Sequence, residues 1–389
     1  SALTHSRTHA LPRVWHLVTG EYPPDRGGVG DYTARLARAL AEAGREAHVW
    51  APAPEGGSEG VHLHAVGGFG AGGRARLAAG LDAFPAPRTL LVQYAPQAFG
   101  RRGMNLAFCR WLLARARSGD DVRVMFHEPF YPFGWERPWR NALAMANRAM
   151  AVVLLRAART AYVSTPAWER LLRPYAPRGL GGMPWLPVPS TVPRVDDPEG
   201  VAVLRARLHG GDPARHVVGH FGTYGGVIGD MLEPALRAVL SPPSHSVALL
   251  LGAGGPAFAA RLEAADPALR GRIVAPGWLA PESLSVHLQA CDVMLQPYPD
   301  GASARRTTLM AALANGVPTV TTRGRFTESV WHDGPVALVR PAGDGSALAA
   351  ETLNLLDDEP RRRRFALESR VFYARHFSMD RTLDVLLGP

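Results

Sequence analysis

The fold class is decided by residues 14–40, VWHLVTGEYPPDRGGVGDYTARLARAL. The apolar start predicts a buried strand over 14–18, and the apolar spacing of the second half predicts a helix from about 30 to 43. A glycine-rich turn joins the two, as in the first βα unit of a parallel sheet. Such a turn lets a ligand approach the backbone, and a helix N-terminus attracts anions. Gly28 and Gly30 are therefore candidates for binding a phosphate or a sugar hydroxyl, although packing alone also explains such glycines.

Beyond this unit, short apolar runs keep alternating with helical spacing. Further strands are predicted at 47–51, 89–93, 122–126, 160–164, 217–221, 247–251, 272–275, 293–296, 319–321 and 337–339. Helices are predicted at about 104–117, 138–157, 229–240, 256–265, 282–290, 305–315 and 344–357. Strands that alternate with helices pair in parallel, so the chain is predicted to be α/β, with two doubly wound Rossmann-like domains facing a cleft.

The boundary between the domains is predicted from a change in composition at 181–198, GGMPWLPVPSTVPRVDDP, which holds five prolines. The predicted divisions are a mobile leader 1–12, a first domain 13–188, a linker 189–198, a second domain 199–372 and a helix 373–389 that returns to the first domain. The stretch 67–80 is rich in glycine and alanine and is predicted to be a mobile loop.

All 43 basic side chains of this 389-residue chain are arginines. The lack of lysine excludes Schiff-base chemistry, a Walker-type phosphate loop and a lysine general base. Residues 1–190 carry 23 Arg against 13 acidic side chains, whereas residues 191–389 carry 20 against 21. The basic half favours an anionic partner, and a lipid phosphate, a membrane surface and a nucleic acid all fit that description.

The compartment is predicted from the cysteines and the hydropathy. Cys109 and Cys291 have no partner at metal-ligand spacing and suit a reducing compartment. No run of 18 uninterrupted apolar residues occurs. We expect a cytoplasmic protein that is either soluble or peripheral on the inner face of the membrane.

Several motifs occur in an order known from one enzyme family. They are the glycine turn at 27–32, VMFHEP at 124–129, VVGHFGTYGG at 217–226, VALLLGAGGP at 247–256, RIVAPGWL at 272–279, CDVMLQPYPDG at 291–301 and MAALANGVPTVTT at 310–322. This order resembles the family-four, or group 1, glycosyltransferases of the GT-B fold, over about residues 13–385. The resemblance implies a bacterial type of enzyme of polysaccharide or glycoconjugate synthesis. It also implies a nucleotide-sugar donor held mainly by the second domain, an acceptor held mainly by the first, and transfer with retention of configuration.

The resemblance also implies a catalytic residue and no metal cofactor. His127 matches the family's histidine beside the donor sugar, and Glu128 could orient that imidazole or an acceptor hydroxyl. Both residues could instead be ordinary partly buried or solvated side chains. The chain has no Asp-x-Asp, and His62 and His64, which alternate along a possible strand, have no third ligand in sequence. We therefore expect no metal and no cofactor beyond the sugar donor.

The donor site departs from the family pattern at two pairs of positions. Thr223 and Ile228 stand where the family has Arg and Lys, and Ser303 and Ala311 stand where it has two acids. Since a diphosphate leaving group needs positive charge, Arg305 and Arg306 are predicted to replace the missing basic pair, although a surface arginine pair is the alternative. The full set of candidate donor-binding residues is Gly28, Gly30, Gly222, Thr223, Tyr224, Ser303, Arg305, Arg306, Thr307 and Thr308.

The acceptor side is predicted in the basic first half. The candidate residues are Tyr22, Arg26, Tyr94, Arg101 and Arg102. A basic amphipathic helix within 101–117 could contact an anionic membrane or could pack into the core, and it favours a lipid-linked or anionic sugar acceptor. No nucleic-acid motif is present. The missing pairs leave one alternative open, a catalytically silent glycosyltransferase-like binding or scaffolding subunit.

Overall fold

The computed structural model describes residues 14–25, 27–134, 140–212, 214–340 and 345–388, without the side chains of residues 101 and 140. The chain forms two compact units. The first comprises the chain up to Leu186 together with the segment from Met379 onward, and the second comprises Pro187–Ser378. The sequence predicted the corresponding boundaries at 188 and 373.

Each unit is built on one parallel sheet of six strands. The first sheet contains β1 Val14–Thr19, β2 Glu46–Ala51, β3 Val61–Ala65, β4 Thr89–Tyr94, β5 Asp121–Phe126 and β6 Thr160–Val163. The second contains β7 Val217–Phe221, β8 Val247–Leu251, β9 Ile273–Gly277, β10 Val293–Gln296, β11 Thr319–Thr322 and β12 Val336–Val339. Both sheets are flanked by helices, which confirms the predicted α/β class with two doubly wound domains.

Helices follow most of the strands. In chain order they are α1 Gly28–Glu42, α2 Ala71–Asp82, α3 Pro96–Phe99, α4 Leu106–Arg117, α5 Arg140–Ala157, α6 Pro166–Leu172, α7 Pro198–His209, α8 Gly226–Leu240, α9 Gly255–Ala265, α10 Pro281–Gln289, α11 Thr307–Ala314, α12 Ser346–Asp357, α13 Glu359–Phe377 and α14 Met379–Leu387. In the described part of the chain, no helix combines the length and the apolar character that a membrane span requires.

The first βα unit forms as its sequence pattern predicts. The last five residues of β1 are buried. Along α1 the buried Tyr32, Leu36 and Leu40 recur every four residues, so one stripe of the helix faces the core. Within the first unit α14 packs against α1.

The prediction of a mobile loop over 67–80 is wrong, because residues 71–82 form helix α2. Two leucines four residues apart, Leu77 and Leu81, are fully buried and hold one side of this helix against the core. Arg76 donates to the carbonyl of Val66 at 2.6 and 2.9 Å and ties the helix to the chain that precedes it. Glycine and alanine content misled the prediction because two well-placed leucines are enough to bury a helix of low overall amphipathicity.

The strand order sets the place in each unit where a ligand can bind. The first sheet has the order β3-β2-β1-β4-β5-β6 and the second has β12-β11-β10-β7-β8-β9. In each, the chain moves outward on one side and then crosses back, so the direction reverses between β1 and β4 and between β7 and β10. Open α/β sheets bind ligands at the carboxyl ends of the strands beside this reversal. A ligand is therefore expected at the turns after β1, β4, β7 and β10.

Candidate active site

In the first domain, His127 directly follows β5 and is held on several sides. Its ring Nε2 lies 2.8 Å from Oε1 of Gln93, the fifth residue of β4. The ring of Tyr32 packs edge-on against the imidazole, with 5.0 Å between ring centroids. The main-chain carbonyl of His127 accepts hydrogen bonds from Trp168 Nε1 at 2.8 Å and Ser164 Oγ at 3.1 Å. The position of this residue is therefore fixed through both its ring and its backbone.

Burial controls the charge of His127. Only 7% of the residue is exposed. The loss of solvation on burial lowers the pKa of His127 to about 3, so the imidazole is neutral near pH 7. When Nε2–H donates to Gln93, the other ring nitrogen is a hydrogen-bond acceptor. His127 can thus orient a bound hydroxyl but cannot supply positive charge.

Glu128, which the sequence offered as a residue that could orient the imidazole, has a different partner in the structure. Its Oε2 accepts a hydrogen bond from Gln97 Nε2 at 3.2 Å, whereas the imidazole partner is Gln93. Glu128 is half-buried beside His127 in the chain. The polar Gln93 inside the apolar run TLLVQY was the sequence signal that could have revealed the true partner.

The glycine turn after β1 is arranged differently from the prediction. Oε1 of Glu21 accepts hydrogen bonds from the backbone N–H of Val29 at 3.0 Å and of Gly30 at 3.2 Å. A carboxylate of the protein itself therefore occupies the N-terminus of α1, where the sequence predicted a phosphate. A side chain at position 27 would collide with this carboxylate, at 2.5 Å from a Cβ there, whereas nothing lies within 4 Å of a Cβ placed at Gly28. Gly28 remains an exposed site of approach, and Gly30 is buried.

The predicted acceptor-side residues fall into three groups. Tyr22 and Tyr94 are core residues, with 4% and 0% of each exposed, and burial raises the pKa of both. Their assignment to the acceptor is corrected, because both rings are packed in the core and offer an acceptor almost no surface. Arg102 is exposed, in a left-handed backbone conformation with φ of 57°. Arg26 and the side chain of Arg101 lie outside the described residues.

Helix α4, the predicted amphipathic element, uses its apolar face for packing. Phe108, Cys109 and Leu112 are fully buried, and the helix packs against α5. Near its end, Arg115 pairs with the buried carboxylate of Asp120 at 2.6 Å. The core-packing interpretation is therefore correct for this face.

In the second domain, the turn after β7 brings backbone close to the start of α11. Gly222 has φ of +152°, and the side chain of Thr308 lies 3.6 Å from where its Cβ would be. Thr223 is exposed. Tyr224 is buried, and its hydroxyl donates to the Leu251 carbonyl at 2.9 Å. Tyr224 belongs to the core of this domain, which corrects its assignment as a cover for the donor.

The loop after β10 gathers three arginines around one carboxylate. Asp300 pairs with Arg305 at 3.2 Å, with Arg306 at 3.7 Å and with Arg325 at 2.8 Å. We call these four residues the Asp300 cluster. The four side chains together carry a formal charge of +2, from three guanidinium groups and one carboxylate. Arg325 could not be found from sequence, because it follows β11 and only the fold brings it to Asp300.

Aromatic rings fix the two predicted arginines of the cluster. The guanidinium of Arg306 lies 4.8 Å from the ring centre of Tyr298, and that of Arg305 lies 5.0 Å from the ring centre of Phe326. Tyr298 also bonds Thr308 through its hydroxyl, at 2.7 Å from Oγ1. Helix α11 begins at Thr307, and its N-cap residue Arg306 makes no side-chain capping hydrogen bond. The arginines thus stand at the positive end of this helix.

The two positions without acids, Ser303 and Ala311, are fully buried. Nearby, the backbone N–H of Ala304 donates to the carboxylate of Glu328 at 3.2 Å, and Trp331 Nε1 donates to the same carboxylate at 2.7 Å. Glu328 is 8% exposed and comes from the chain after β11. This carboxylate fixes the loop directly before Arg305, a role for which no local sequence signal exists.

A further set of polar side chains lies elsewhere in the first domain. In the described part of the chain, Glu46, His48 and His62 have ligand atoms within 4.8 Å of one another. The sequence offered no third ligand beside His62 and His64, but β2 places a histidine and a glutamate next to them. His62 itself is exposed to solvent.

The second domain matches a known sequence family, and the chain is similar in fold to several solved structures. Residues 217–358 match the sequence model of a family described as glycosyl transferases group 1. WaaG, a glycosyltransferase involved in lipopolysaccharide biosynthesis, is 17% identical, with 96% of this chain and 100% of that chain covered and a TM-score of 0.64. Sucrose-phosphate synthase from Thermosynechococcus elongatus is 18% identical over 95% and 96% of the two chains, with a TM-score of 0.67.

A third similar structure is Anabaena Alr3699/HepE in complex with UDP and glucose, which is 17% identical over 96% of this chain and 98% of that chain, with a TM-score of 0.64. At these identities the likeness concerns the fold, which is that of the GT-B enzymes. No curated protein matches the sequence.

Proposed function

We propose that this protein is a glycosyltransferase that transfers a sugar from a nucleotide-diphosphate sugar with retention of configuration and without a catalytic metal. The match of residues 217–358 to the group 1 glycosyltransferase model and the GT-B fold of the chain support this proposal. In this reaction the bond between the anomeric carbon and the diphosphate oxygen breaks. The acceptor oxygen bonds to the same face of that carbon, and the proton of the acceptor hydroxyl leaves with the nucleoside diphosphate.

The observation that carries the proposal is the Asp300 cluster at the N-terminus of α11. A departing diphosphate gains negative charge that cations or backbone donors must stabilise. The cluster places three guanidinium groups around one carboxylate, a formal charge of +2, in a place where α/β sheets bind ligands. Nε of Arg306 is buried and has no hydrogen-bond partner among the described residues. Arg305 and Arg306 are therefore assigned to the diphosphate, in place of a metal ion.

Ligands bound to similar proteins support a nucleotide sugar as the donor. The Anabaena HepE structures contain UDP and UDP-glucose. UDP-glucose is for that reason the first donor to test. Since both family acids are absent at Ser303 and Ala311, and Asp300 is engaged by three arginines, the ribose must be held by other groups, such as the exposed Thr223 or backbone amides.

His127 and Glu128 are assigned to the sugar and the acceptor. A neutral imidazole held by Gln93 can accept or orient a hydroxyl hydrogen bond, but with its pKa lowered to about 3 it does not act as a general acid near pH 7. Glu128, whose carboxylate accepts a hydrogen bond from Gln97, can position an acceptor hydroxyl. Stabilisation of the leaving group therefore depends on the arginines.

The acceptor is proposed to be an anionic or lipid-linked sugar, reached by a cytoplasmic enzyme in peripheral contact with the inner face of the membrane. Arg102 and Arg110 are exposed, and Met104 and Leu106 beside them are each 43% exposed. Basic and apolar side chains together are what an anionic membrane surface binds. In a flotation experiment with anionic vesicles, the wild type should float with the vesicles and the Arg102→Ala, Arg110→Ala double variant should not. Equal flotation of wild type and variant with anionic vesicles, or flotation of the wild type that is as strong with neutral vesicles as with anionic ones, would contradict this assignment.

The donor proposal is tested by kinetics on a pair of double variants. Arg305→Ala with Arg306→Ala should raise the Michaelis constant for the donor and lower turnover, by about 100-fold or more in kcat/KM. The matched control replaces Arg363 and Arg364 of α13, an adjacent pair whose side chains are 77% and 61% exposed, and should leave both constants unchanged. Unchanged kinetics in the first variant would overturn the assignment.

The stereochemistry and the metal are tested on the wild type. The product anomer, determined by NMR, should match that of the donor, and EDTA should leave the rate unchanged. If no nucleotide sugar in a broad screen is hydrolysed or transferred, the chain is a non-catalytic binding subunit.

A further inference from the structure

Three strands at one edge of the first sheet place histidines on a common face. His16 of β1 pairs in register with His48 of β2, and His48 pairs with His62 of β3. Residues in register on parallel strands point to the same face, as do residues two apart along one strand, so Glu46 and His64 join them. The pairing of β2 with β3, and not the spacing along the chain, gathers these groups. We call Glu46, His48, His62 and His64 the edge cluster.

The contacts of His48 are those of an oriented ligand. Its Nε2 lies 2.8 Å from Oε1 of Glu46, and its Nδ1 lies 2.9 Å from Nε2 of His64. His64 is itself held by stacking on Trp50, with 3.9 Å between ring centres. The ring of Phe84 packs edge-on against His48 at 4.6 Å. His48 is therefore fixed on the side away from solvent, with one ring nitrogen directed at the carboxylate.

His62 completes the set from the edge strand. Its ring stacks on that of His48 with 4.7 Å between centres, and it is exposed to solvent. One ligand atom from each of Glu46, His48 and His62 lies within 4.8 Å of the others. Ligand atoms of a tetrahedral zinc ion lie about 3.3 Å apart, from bond lengths of about 2.0–2.1 Å. A rotation of the exposed His62 ring brings its nitrogen into that range.

We propose that Glu46, His48 and His62 form a site for a divalent transition-metal ion of the zinc class. Two imidazoles and a carboxylate are a ligand set that suits Zn²⁺, and water fills the fourth position. His64 is a positioning residue, because an Nδ1–H of His48 donated to His64 leaves Nε2 of His48 as the metal ligand.

The site is separate from the proposed transfer reaction. Glu46 is the first residue of β2 and His48 the third, so the cluster lies toward the amino ends of the strands. His127 follows the carboxyl end of β5, and two strands, β1 and β4, separate β2 from β5. The ion would join the edge strand β3 to β2 and stabilise the first domain. It has no part in catalysis.

The test uses the full chain without an affinity tag, freed of metal by chelation, and titrated with Zn²⁺ by calorimetry. Two variants change exposed ligands, His62→Ala and Glu46→Gln, so folding should be preserved, as circular dichroism will verify. The control is His245→Ala, which removes an exposed histidine paired with Asp212 at 3.2 Å in the second domain.

The expected result is one Zn²⁺ bound per wild-type chain, with a higher thermal midpoint in its presence. Each ligand variant should bind at least about 10-fold more weakly and lose the thermal shift, while the control should behave as the wild type does. Co²⁺ substitution should give the visible spectrum of a tetrahedral site in the wild type and in the control, but in neither ligand variant. Equal binding by wild type and His62→Ala, or an equal loss in the control, would overturn the proposal.

Discussion

Glu328 gives the sharpest test of how the donor loop is held in place. The Ala304 N–H donates hydrogen bonds to both carboxylate oxygens, at 3.2 Å to Oε1 and 3.3 Å to Oε2. Trp331 Nε1 donates a third hydrogen bond to Oε2, at 2.7 Å. Glu328→Gln preserves the size of the side chain but replaces one oxygen with an NH₂ group. The remaining oxygen can take the Oε2 position and still accept from Trp331. The NH₂ group at the Oε1 position then lies 3.2 Å from the Ala304 N–H, so one buried donor faces another.

The magnitude follows from the contacts that are lost. A hydrogen bond to a charged group contributes about 1.5–3 kcal/mol, and an unsatisfied buried donor costs a similar amount. We expect the second domain to lose about 2–3 kcal/mol. For a domain of this size that is a fall of roughly 4–12 °C in its thermal midpoint. Because Ala304 directly precedes Arg305, the Michaelis constant for the donor should rise several-fold.

The assay combines scanning calorimetry with donor kinetics on the same preparations. Glu359→Gln is the matched control, since that glutamate is 60% exposed on α13 and pairs only with the exposed Arg363 in the contacts described. Its replacement should change the stability by less than about 0.5 kcal/mol. A Glu328→Gln variant with the midpoint and the Michaelis constant of the wild type would refute the role of this carboxylate.

Three further predictions concern the first domain. The pKa of His127 is lowered to about 3 from an ordinary 6.5, so the unfolded chain takes up a proton that the folded one does not, and stability should fall as the pH drops below 6.5, by about 1.4 kcal/mol per unit. His127→Gln should reduce this slope in urea titrations at pH 7 and 5.5; an unchanged slope would contradict the burial argument. Asp120→Asn should cost about 2–4 kcal/mol in urea unfolding, because it removes a carboxylate that is 1% exposed from Arg88 and Arg115 and leaves them the exposed Asp82 as their ion-pair partner; a cost below about 1 kcal/mol would show that these pairs are not important. Tyr94→Phe should keep or raise the thermal midpoint, since the buried hydroxyl has no hydrogen-bond partner among the described residues, and a clear fall would reveal one.

The elements of the fold could largely be predicted because their signals are local. The strands at 217–221, 247–251 and 293–296 have the predicted limits, because a short run of mostly apolar residues is buried as a strand on either face of the sheet. Helix α2 was missed because only two leucines anchor it, too few to stand out against its glycines and alanines. Its burial depends on the sheet that it covers.

The candidate site could be predicted only in part. The order of motifs located His127 and the pair Arg305 and Arg306. The sequence could not say which side chains face outward, because an aromatic residue at the end of a strand, such as Tyr94, can be either a ligand contact or a core residue. Nor could it show that the amides after Gly28 are taken by Glu21, since that contact depends on the path of the turn.

The sequence by itself determined the α/β class, the two-domain plan, the exclusion of lysine chemistry and the positions of the apolar strands. Only the tertiary structure decided the partners of the charged groups: Asp300 with Arg325, Glu328 with Ala304, and Glu46 and His48 with His62. The physical reason is one of distance along the chain. Periodicity records the surroundings of each residue within one element, whereas an ion pair or a ligand set joins elements that only the parallel crossovers bring side by side.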